Sequence, residues 1–178
     1  VNDYLAGGAR KEDIVDKYGE INNWDVSNVT DMARLFKDES SFNQPLNKWD
    51  VSNVTYMNRM FDGAESFNQP LNKWNVSNVT YMNSMFWGAT SFNQPLNNWN
   101  VSKVMTMRWM FNALDTSQLL STFNQPLNNW DVSNVTDMKG MFRGAISFNQ
   151  PLNKWNVSNV TDMRAMFQET FFNQPLNN

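Results

Sequence analysis

The sequence predicts a β/α solenoid of about six coils, with a parallel sheet on one face and short helices on the other. The chain has 178 residues and repeats a segment that begins with Trp24, Trp49, Trp74, Trp99, Trp130 and Trp155. The steps between these tryptophans are 25, 25, 25, 31 and 25 residues, and a fixed period in this range indicates stacked repeats. Each segment places apolar residues first at a strand-like spacing and then at a helical one, which predicts strand, short helix and return.

The composition excludes most catalytic chemistry. The chain has no Cys and no His, so it lacks a thiol nucleophile, the usual general base and the usual metal ligands. We therefore expect no enzyme activity, no catalytic residues, no cofactor and no metal site. The formal charge of −3 argues against nucleic acid as a partner, and no apolar run is long enough for membrane insertion.

Residues 1–19 differ from the repeats and are predicted to form an N-terminal capping region. The charged stretch from Ala9 to Gly19 has Ile14, Val15 and Tyr18 at helical spacing. A helix there would cover the first coil, as the ends of repeat proteins require.

The first part of each unit is predicted to be a strand. In the third unit, Leu71, Trp74, Val76 and Val79 give the pattern L-x-x-W-x-V-x-x-V. Alternation along a strand would point Trp74 and Val76 inward and the intervening polar residues outward.

The second part of each unit is predicted to be a short helix. Met82, Met85, Phe86 and Ala89 follow Val79 at i, i+3, i+4 and i+7, which is one face of about two helical turns. Thr80 lies at the expected N-cap, and Gly88 lies where such a helix would end. Threonine recurs at this position as Thr30, Thr55, Thr136 and Thr161.

Residues 20–178 are therefore predicted to form one repeat solenoid. The longer step places a six-residue insertion near residues 114–121, and the array appears to be cut at the C-terminus. A single unit has too few apolar side chains to fold by itself, so we expect the units to be stable only when stacked.

The repeat resembles a known family. The pattern L-x-x-W-x-V-x-x-V is similar to a leucine-rich-repeat strand, and the phrase WDVSNVTDM followed by MF and FNQPL resembles the BspA-like leucine-rich repeat surface proteins. The resemblance covers about Tyr18 to Asn178. It implies a right-handed leucine-rich-repeat-like coil, display at the cell surface, and binding or adhesion to extracellular proteins, without a catalytic site.

One asparagine of the phrase FNQP occurs in every unit. Its amide is predicted to bond the backbone of a neighbouring coil, giving a structural ladder; a ligand-binding ladder is the alternative. The ladder residues are Asn43, Asn68, Asn93, Asn124, Asn149 and Asn173.

An outward column of acidic and amide side chains is predicted on the sheet face. Asp25 and Asp50 would lie about 4.8 Å apart on adjacent strands. Such a pair could hold a cation, but exposed carboxylates are more often simply solvated.

The residues that change between otherwise similar units are the best recognition candidates. They include aromatic side chains predicted to face solvent on three adjacent coils, which is typical of an interaction site. The candidate recognition patch consists of Tyr56, Tyr81, Trp87, Trp109, Arg59 and Arg108.

These features predict a non-enzymatic recognition or adhesion module, at the cell surface or secreted, that binds an extracellular protein or glycan. The alternative is a structural protein that associates end to end into a filament or coat. A third hypothesis, ice binding by the Ser and Thr columns, is weaker because the threonines suit helix caps better than a flat array.

Overall fold

The computed structural model describes residues 1–113 and 121–176. Two α-helices come first, α1 (Asn2–Leu5) and α2 (Gly8–Tyr18), followed by a 3-10 turn at Ile21–Asn23. The repeats follow as six coils, numbered here from their tryptophans: coil 1 (24–48), coil 2 (49–73), coil 3 (74–98), coil 4 (99–129), coil 5 (130–154) and coil 6 (from 155). Among the described residues, neither helix has the length and hydropathy that a membrane-spanning segment needs.

The predicted leucine-rich-repeat-like architecture, with a parallel sheet and a short helix in each coil, is wrong. Within residues 24–113 and 121–176 the structure has neither a helix nor a strand. Adjacent coils are joined instead by isolated parallel bridges, one per pair of coils. These bridges run from Asp31 through Tyr56, Tyr81, Thr106 and Asp137 to Asp162.

Backbone hydrogen bonds explain why the expected helix does not form. In coil 2, alternate amides donate to coil 3, as in Arg59 N to Asn83 O at 3.0 Å and Phe61 N to Met85 O at 2.9 Å. The amides between them close tight turns, such as Met60 N to Met57 O at 3.2 Å. The φ angle of Arg59 is also +59°, a left-handed conformation that a right-handed helix excludes.

The expected strand is replaced by tight turns as well. Trp74 N donates to Leu71 O at 3.0 Å, and Val79 N donates to Val76 O at 2.9 Å. Both turns direct their apolar side chains to the interior, where Trp74 is 4% exposed and Val76 is 1% exposed. The apolar spacing therefore identified the interior residues although the backbone is not a strand.

The threonine after each second valine does not cap a helix. Thr80 N donates to Thr55 O at 2.9 Å, and the Thr80 hydroxyl lies 3.3 Å from the same oxygen. Thr161 repeats the contact, since its hydroxyl donates to Thr136 O at 3.0 Å. These side chains add a link between coils, and their hydroxyls are directed at the backbone.

Phenylalanine columns fill the interior. Phe61, Phe86 and Phe111 stack with centroids 5.6 Å apart at each step. The second phenylalanine of a coil lies closer, as in Phe61 and Phe67 at 4.0 Å. Nearly parallel aromatic pairs contribute about 0.5–1.5 kcal/mol each beyond their buried area, so the columns favour stacking of whole coils.

The tryptophans that begin the coils link each junction between coils to the junction before it. The indole nitrogen of Trp99 donates to Leu71 O at 3.0 Å, and that of Trp130 donates to Leu96 O at 2.8 Å. Equivalent bonds of Trp49, Trp74 and Trp155 are 2.7–3.0 Å long. Each buried indole N–H thus bonds to a carbonyl that also accepts the backbone amide closing a tight turn, as Leu71 O accepts Trp74 N at 3.0 Å.

The N-terminal segment packs on coil 1. Ile14 and Val15 of α2 contact the core, and Tyr4 of α1 is 3% exposed with its ring edge-on to Trp24. The predicted insertion near residues 114–121 lies, except for Ser121, outside the described residues.

Candidate recognition surface

The bridge column carries a stacked pair of tyrosines. Tyr56 and Tyr81 lie on coils 2 and 3 with ring centroids 5.4 Å apart and planes 9° from parallel. Their residues are 43% and 38% exposed. Main-chain bridging between the two coils fixes the spacing of the rings, so the pair presents a fixed aromatic surface to solvent.

The other coils use this column differently. Asp31, Asp137 and Asp162 each accept the backbone amide two residues later, at 2.8, 2.9 and 3.0 Å. A tyrosine has no side-chain oxygen close enough to its own backbone for this turn. Coils 2 and 3 therefore exchange a local hydrogen bond for an exposed aromatic pair.

A second aromatic pair lies in coils 3 and 4. The rings of Trp87 and Trp109 are 5.4 Å apart and tilted by 47°. Cations lie over both indoles: the Arg59 guanidinium is 5.9 Å from the Trp87 ring and the Arg108 guanidinium is 4.0 Å from the Trp109 ring. Lys139 adds a third cation, 5.7 Å from the Trp109 ring. The arrangement matches a cation–π cluster.

Small residues in the two adjacent coils leave space for the indole of Trp109. The residues at its position in coils 3 and 5 are Ser84, which is 1% exposed, and Gly140. A Cβ built on Gly140 would lie 2.4 Å from Cδ1 of the Trp109 indole. Trp109 itself has a φ of +55°, a strained left-handed conformation for a residue with a large side chain.

Two carboxylates lie beside the arginines of this cluster. Asp137 Oδ2 is 3.7 Å from Nη1 of Arg108, and Asp62 Oδ2 is 4.0 Å from Nη1 of Arg59. Both distances exceed that of a hydrogen bond. Burial raises the pKa of Asp62, while Lys37 and Arg59 oppose this rise by Coulomb attraction.

The structure thus divides the six predicted patch residues into two groups, the Tyr56–Tyr81 pair and the cluster of Trp87, Trp109, Arg59 and Arg108. Sequence reasoning missed Lys139. The repeat alignment could have identified it, because Lys139 holds the same position in coil 5 that Arg108 holds in coil 4.

A family model described as "Mycoplasma protein of unknown function, DUF285" matches residues 10–122 and 116–178, which is nearly the whole chain. The chain belongs to this family. No curated protein and no solved structure matches it.

The FNQP asparagines of this DUF285 chain bond from coil to coil. The side-chain oxygen of Asn68 accepts the backbone amide of Asn93 at 3.0 Å and the side-chain amide of Gln94 at 3.0 Å. The same contact to the next backbone amide runs from Asn43 to Asn68, Asn93 to Asn124, Asn124 to Asn149 and Asn149 to Asn173, at 2.9–3.1 Å. The amide oxygens are directed at the backbone of the neighbouring coil rather than at solvent.

The acidic column of the DUF285 repeats also forms turns. Asp25 and Asp131 accept both the amide and the hydroxyl of the serine two residues later. These serine hydrogen bonds lower the pKa of Asp25 and of Asp131. Asn75, Asn100 and Asn156 accept the equivalent serine amide in their own coils, which explains why either Asp or Asn occurs at this position. Within the described ranges, no group of three Asp or Glu residues could hold a metal ion.

Proposed function

We propose that the protein is a non-enzymatic recognition module, at the cell surface or secreted, which binds an extracellular protein or glycan through the Tyr56–Tyr81 pair and the neighbouring Trp87–Trp109 cluster. The observation that carries the proposal is the loss of a turn hydrogen bond at two adjacent coils in favour of exposed aromatic rings. Such an exchange costs local stability, and a binding site is where stability is commonly given up for function.

The resemblance to BspA-like surface proteins supports the same proposal. The resemblance implies surface display and adhesion, and the repeats carry their aromatic variation on consecutive coils. Rigid, exposed tyrosine and tryptophan side chains are enriched at binding hot spots because they bury a large area at little entropic cost.

Replacing both tyrosines by the residue that coil 4 uses tests the proposal. Tyr56→Thr/Tyr81→Thr restores the Thr106 type of side chain without changing charge. We expect the variant to unfold at a midpoint no lower than that of wild type, since threonine can accept the amide two residues later as Thr106 accepts Arg108 N at 3.4 Å. We also expect it to lose binding on an array of extracellular matrix proteins and glycans. The matched control is Tyr18→Thr, which removes a 56% exposed tyrosine from α2.

If every array interaction of the wild-type chain survives in the double variant, the tyrosines do not have this role. Equal losses in Tyr18→Thr would also contradict it, since that result would assign binding to exposed tyrosines in general.

Self-assembly is a second candidate function, favoured by the apolar surface of coil 6. Phe171 is 78% exposed and Met163 is 40% exposed, and Met163 lines a recess of about 150 Å³ together with Val157 and Leu176. Light scattering over a range of concentrations tests it: growth into a filament or coat would raise the mass steadily, whereas a constant monomer mass would remove this candidate.

A further inference from the structure

We propose that the cations around Trp87 and Trp109 bind the carboxylate or sulfate groups of an anionic polysaccharide. The site consists of Arg59, Arg108 and Lys139, and the inference rests on the recognition function proposed above. It specifies the ligand chemistry, which that proposal leaves open between protein and glycan.

The position of Arg108 is suited to binding an anion. Its guanidinium lies 4.0 Å from the centroid of the Trp109 ring, and stacking on an aromatic ring leaves the N–H groups at the edge of the guanidinium plane available. Asp137 is 3.7 Å away, too far to engage those donors in a direct hydrogen bond. The side chain is 36% exposed, so an incoming carboxylate or sulfate can reach it.

Arg164 shows how an engaged arginine differs in the same chain. It occupies the position of Arg108 two coils later, and Asp162 accepts from its Nε at 3.0 Å and from its Nη2 at 2.7 Å. That guanidinium edge is committed to a bidentate contact. We therefore exclude Arg164 from the proposed site and include Arg108.

Neighbouring coils add further positive charge. Lys139 lies on the next coil, where its backbone carbonyl accepts Trp109 N at 2.9 Å, and its ammonium lies 5.7 Å from the Trp109 ring. The Nε of Arg143 is buried and has no hydrogen-bond partner among the described residues. Because that nitrogen is buried, Arg143 is left out of the proposed site.

The local charge is opposite in sign to that of the whole chain. The site has three cations against two carboxylates, those of Asp62 and Asp137, which leaves a net charge of +1, whereas the chain carries −3. A concentrated positive patch on an acidic protein attracts anions locally and repels them elsewhere.

A polysaccharide fits the site better than a single small anion. Arg108 and Lys139 repeat at the same position on adjacent coils, so the cations are spread along the direction of stacking. A linear polymer with regularly spaced anions can contact both coils at once, and the indole rings supply apolar surface for the C–H faces of its sugars.

Binding of three defined polysaccharides to the whole chain tests the proposal. Heparin carries sulfate and carboxylate groups, hyaluronan carries carboxylates alone, and dextran is neutral. We expect heparin or hyaluronan to bind, dextran not to bind, and the affinity to fall as salt is added. Binding by heparin alone would identify sulfate as the recognised group, and binding by both would identify either anion.

Variants locate the binding site. Arg108→Gln/Lys139→Gln should raise the dissociation constant by about tenfold or more, because the loss of one charge-assisted contact is enough to raise it about tenfold. Lys73→Gln/Lys154→Gln makes the same change in net charge at two exposed lysines elsewhere and should change binding by less than about twofold. Near-ultraviolet circular dichroism establishes that both variants keep the packed aromatic core.

Three results would overturn the proposal. They are no binding of either anionic polysaccharide, equal weakening by the two double variants, and binding of poly-glutamate as tight as that of heparin with the same dependence on Arg108. If array binding that requires Tyr56 and Tyr81 persists while both anionic polysaccharides fail, this inference is wrong and the recognition function stands. If the array shows no such binding either, both are wrong.

Discussion

The indole of Trp109 occupies the space in which a side chain at Gly140 would lie. A Cβ on Gly140 would be 2.4 Å from Cδ1 and 2.8 Å from Nε1 of that indole. The two residues hold the same position in coils 4 and 5, so a large side chain in one coil requires the absence of a side chain in the next. The coils are therefore not interchangeable, although their sequences are similar.

Replacing Gly140 by alanine should destabilise the protein. The new methyl group would overlap the indole, and alanine would have to adopt the φ of +59° that glycine has here. Together these costs are about 2–4 kcal/mol in the free energy of unfolding. Urea denaturation measures the change.

Gly88→Ala is the matched control for this substitution. Gly88 has a φ of +68°, but its nearest contact for a new Cβ is Gly63 Cα at 3.6 Å, an ordinary distance. It should therefore lose only about 1–2 kcal/mol, the cost of the left-handed conformation. Equal losses in the two variants would show that the indole does not constrain Gly140, whereas Trp109→Ser should relieve the additional loss in Gly140→Ala.

Removing one indole N–H should weaken the stack without emptying the core. Trp99→Phe keeps an aromatic ring but leaves Leu71 O, which now accepts the indole at 3.0 Å, without that donor. Leu71 O still accepts Trp74 N at 3.0 Å, so the variant loses one of two hydrogen bonds to this carbonyl, about 0.5–1.5 kcal/mol, to which the smaller ring adds a packing loss. Trp87→Phe, at the partly exposed surface position, should change stability by about 0.5 kcal/mol or less; a loss as large as that of Trp99→Phe would contradict the role assigned to the buried bond.

The aspartates of the acidic column should make stability depend on pH in the acid range. Hydrogen bonds from the following serines lower the pKa of Asp25, Asp50 and Asp131 in the folded chain from the ordinary 3.8. A lowered folded pKa means that the stabilisation is fully present above the unfolded value and is lost as the pH falls through the folded one. The free energy of unfolding should therefore decline below about pH 4.

The triple variant Asp25→Asn/Asp50→Asn/Asp131→Asn isolates this effect. Asparagine forms the same turn in coils 3, 4 and 6, so the fold is kept while the titration is removed. Urea unfolding at several pH values should give a shallower acid decline for the variant than for wild type. Identical slopes would mean that these three carboxylates do not contribute.

The repeat period and the identity of the interior residues could be predicted from the sequence, whereas the backbone conformation could not. Met82, Met85, Phe86 and Ala89 are all buried, as the helical spacing requires, but a succession of tight turns gives that spacing too. Ser84 has a φ of +57°, a conformation that its residue type does not signal. A short apolar pattern therefore identifies the buried face without distinguishing a helix from turns whose amides bond to neighbouring coils.

Variation between the repeat units identified the candidate site in the sequence. The contacts of its charged side chains could be determined only from the structure. Comparing repeats singled out Tyr56, Tyr81 and Trp87 because other coils have polar residues there. The difference between Arg108, which stacks on an indole, and Arg164, which pairs with Asp162, depends on contacts that the sequence does not specify.

Hydrogen exchange of the indole N–H groups, followed by nuclear magnetic resonance, tests most directly whether successive coils hold one another. The structure predicts slow and similar exchange for Trp74, Trp99 and Trp130 and fast exchange for Trp87. The first three indoles are 2–4% exposed, and each donates to the leucine carbonyl three residues before the preceding coil's first tryptophan. Exchange of all three of these indoles as fast as that of Trp87 would contradict a stack of mutually bonded coils.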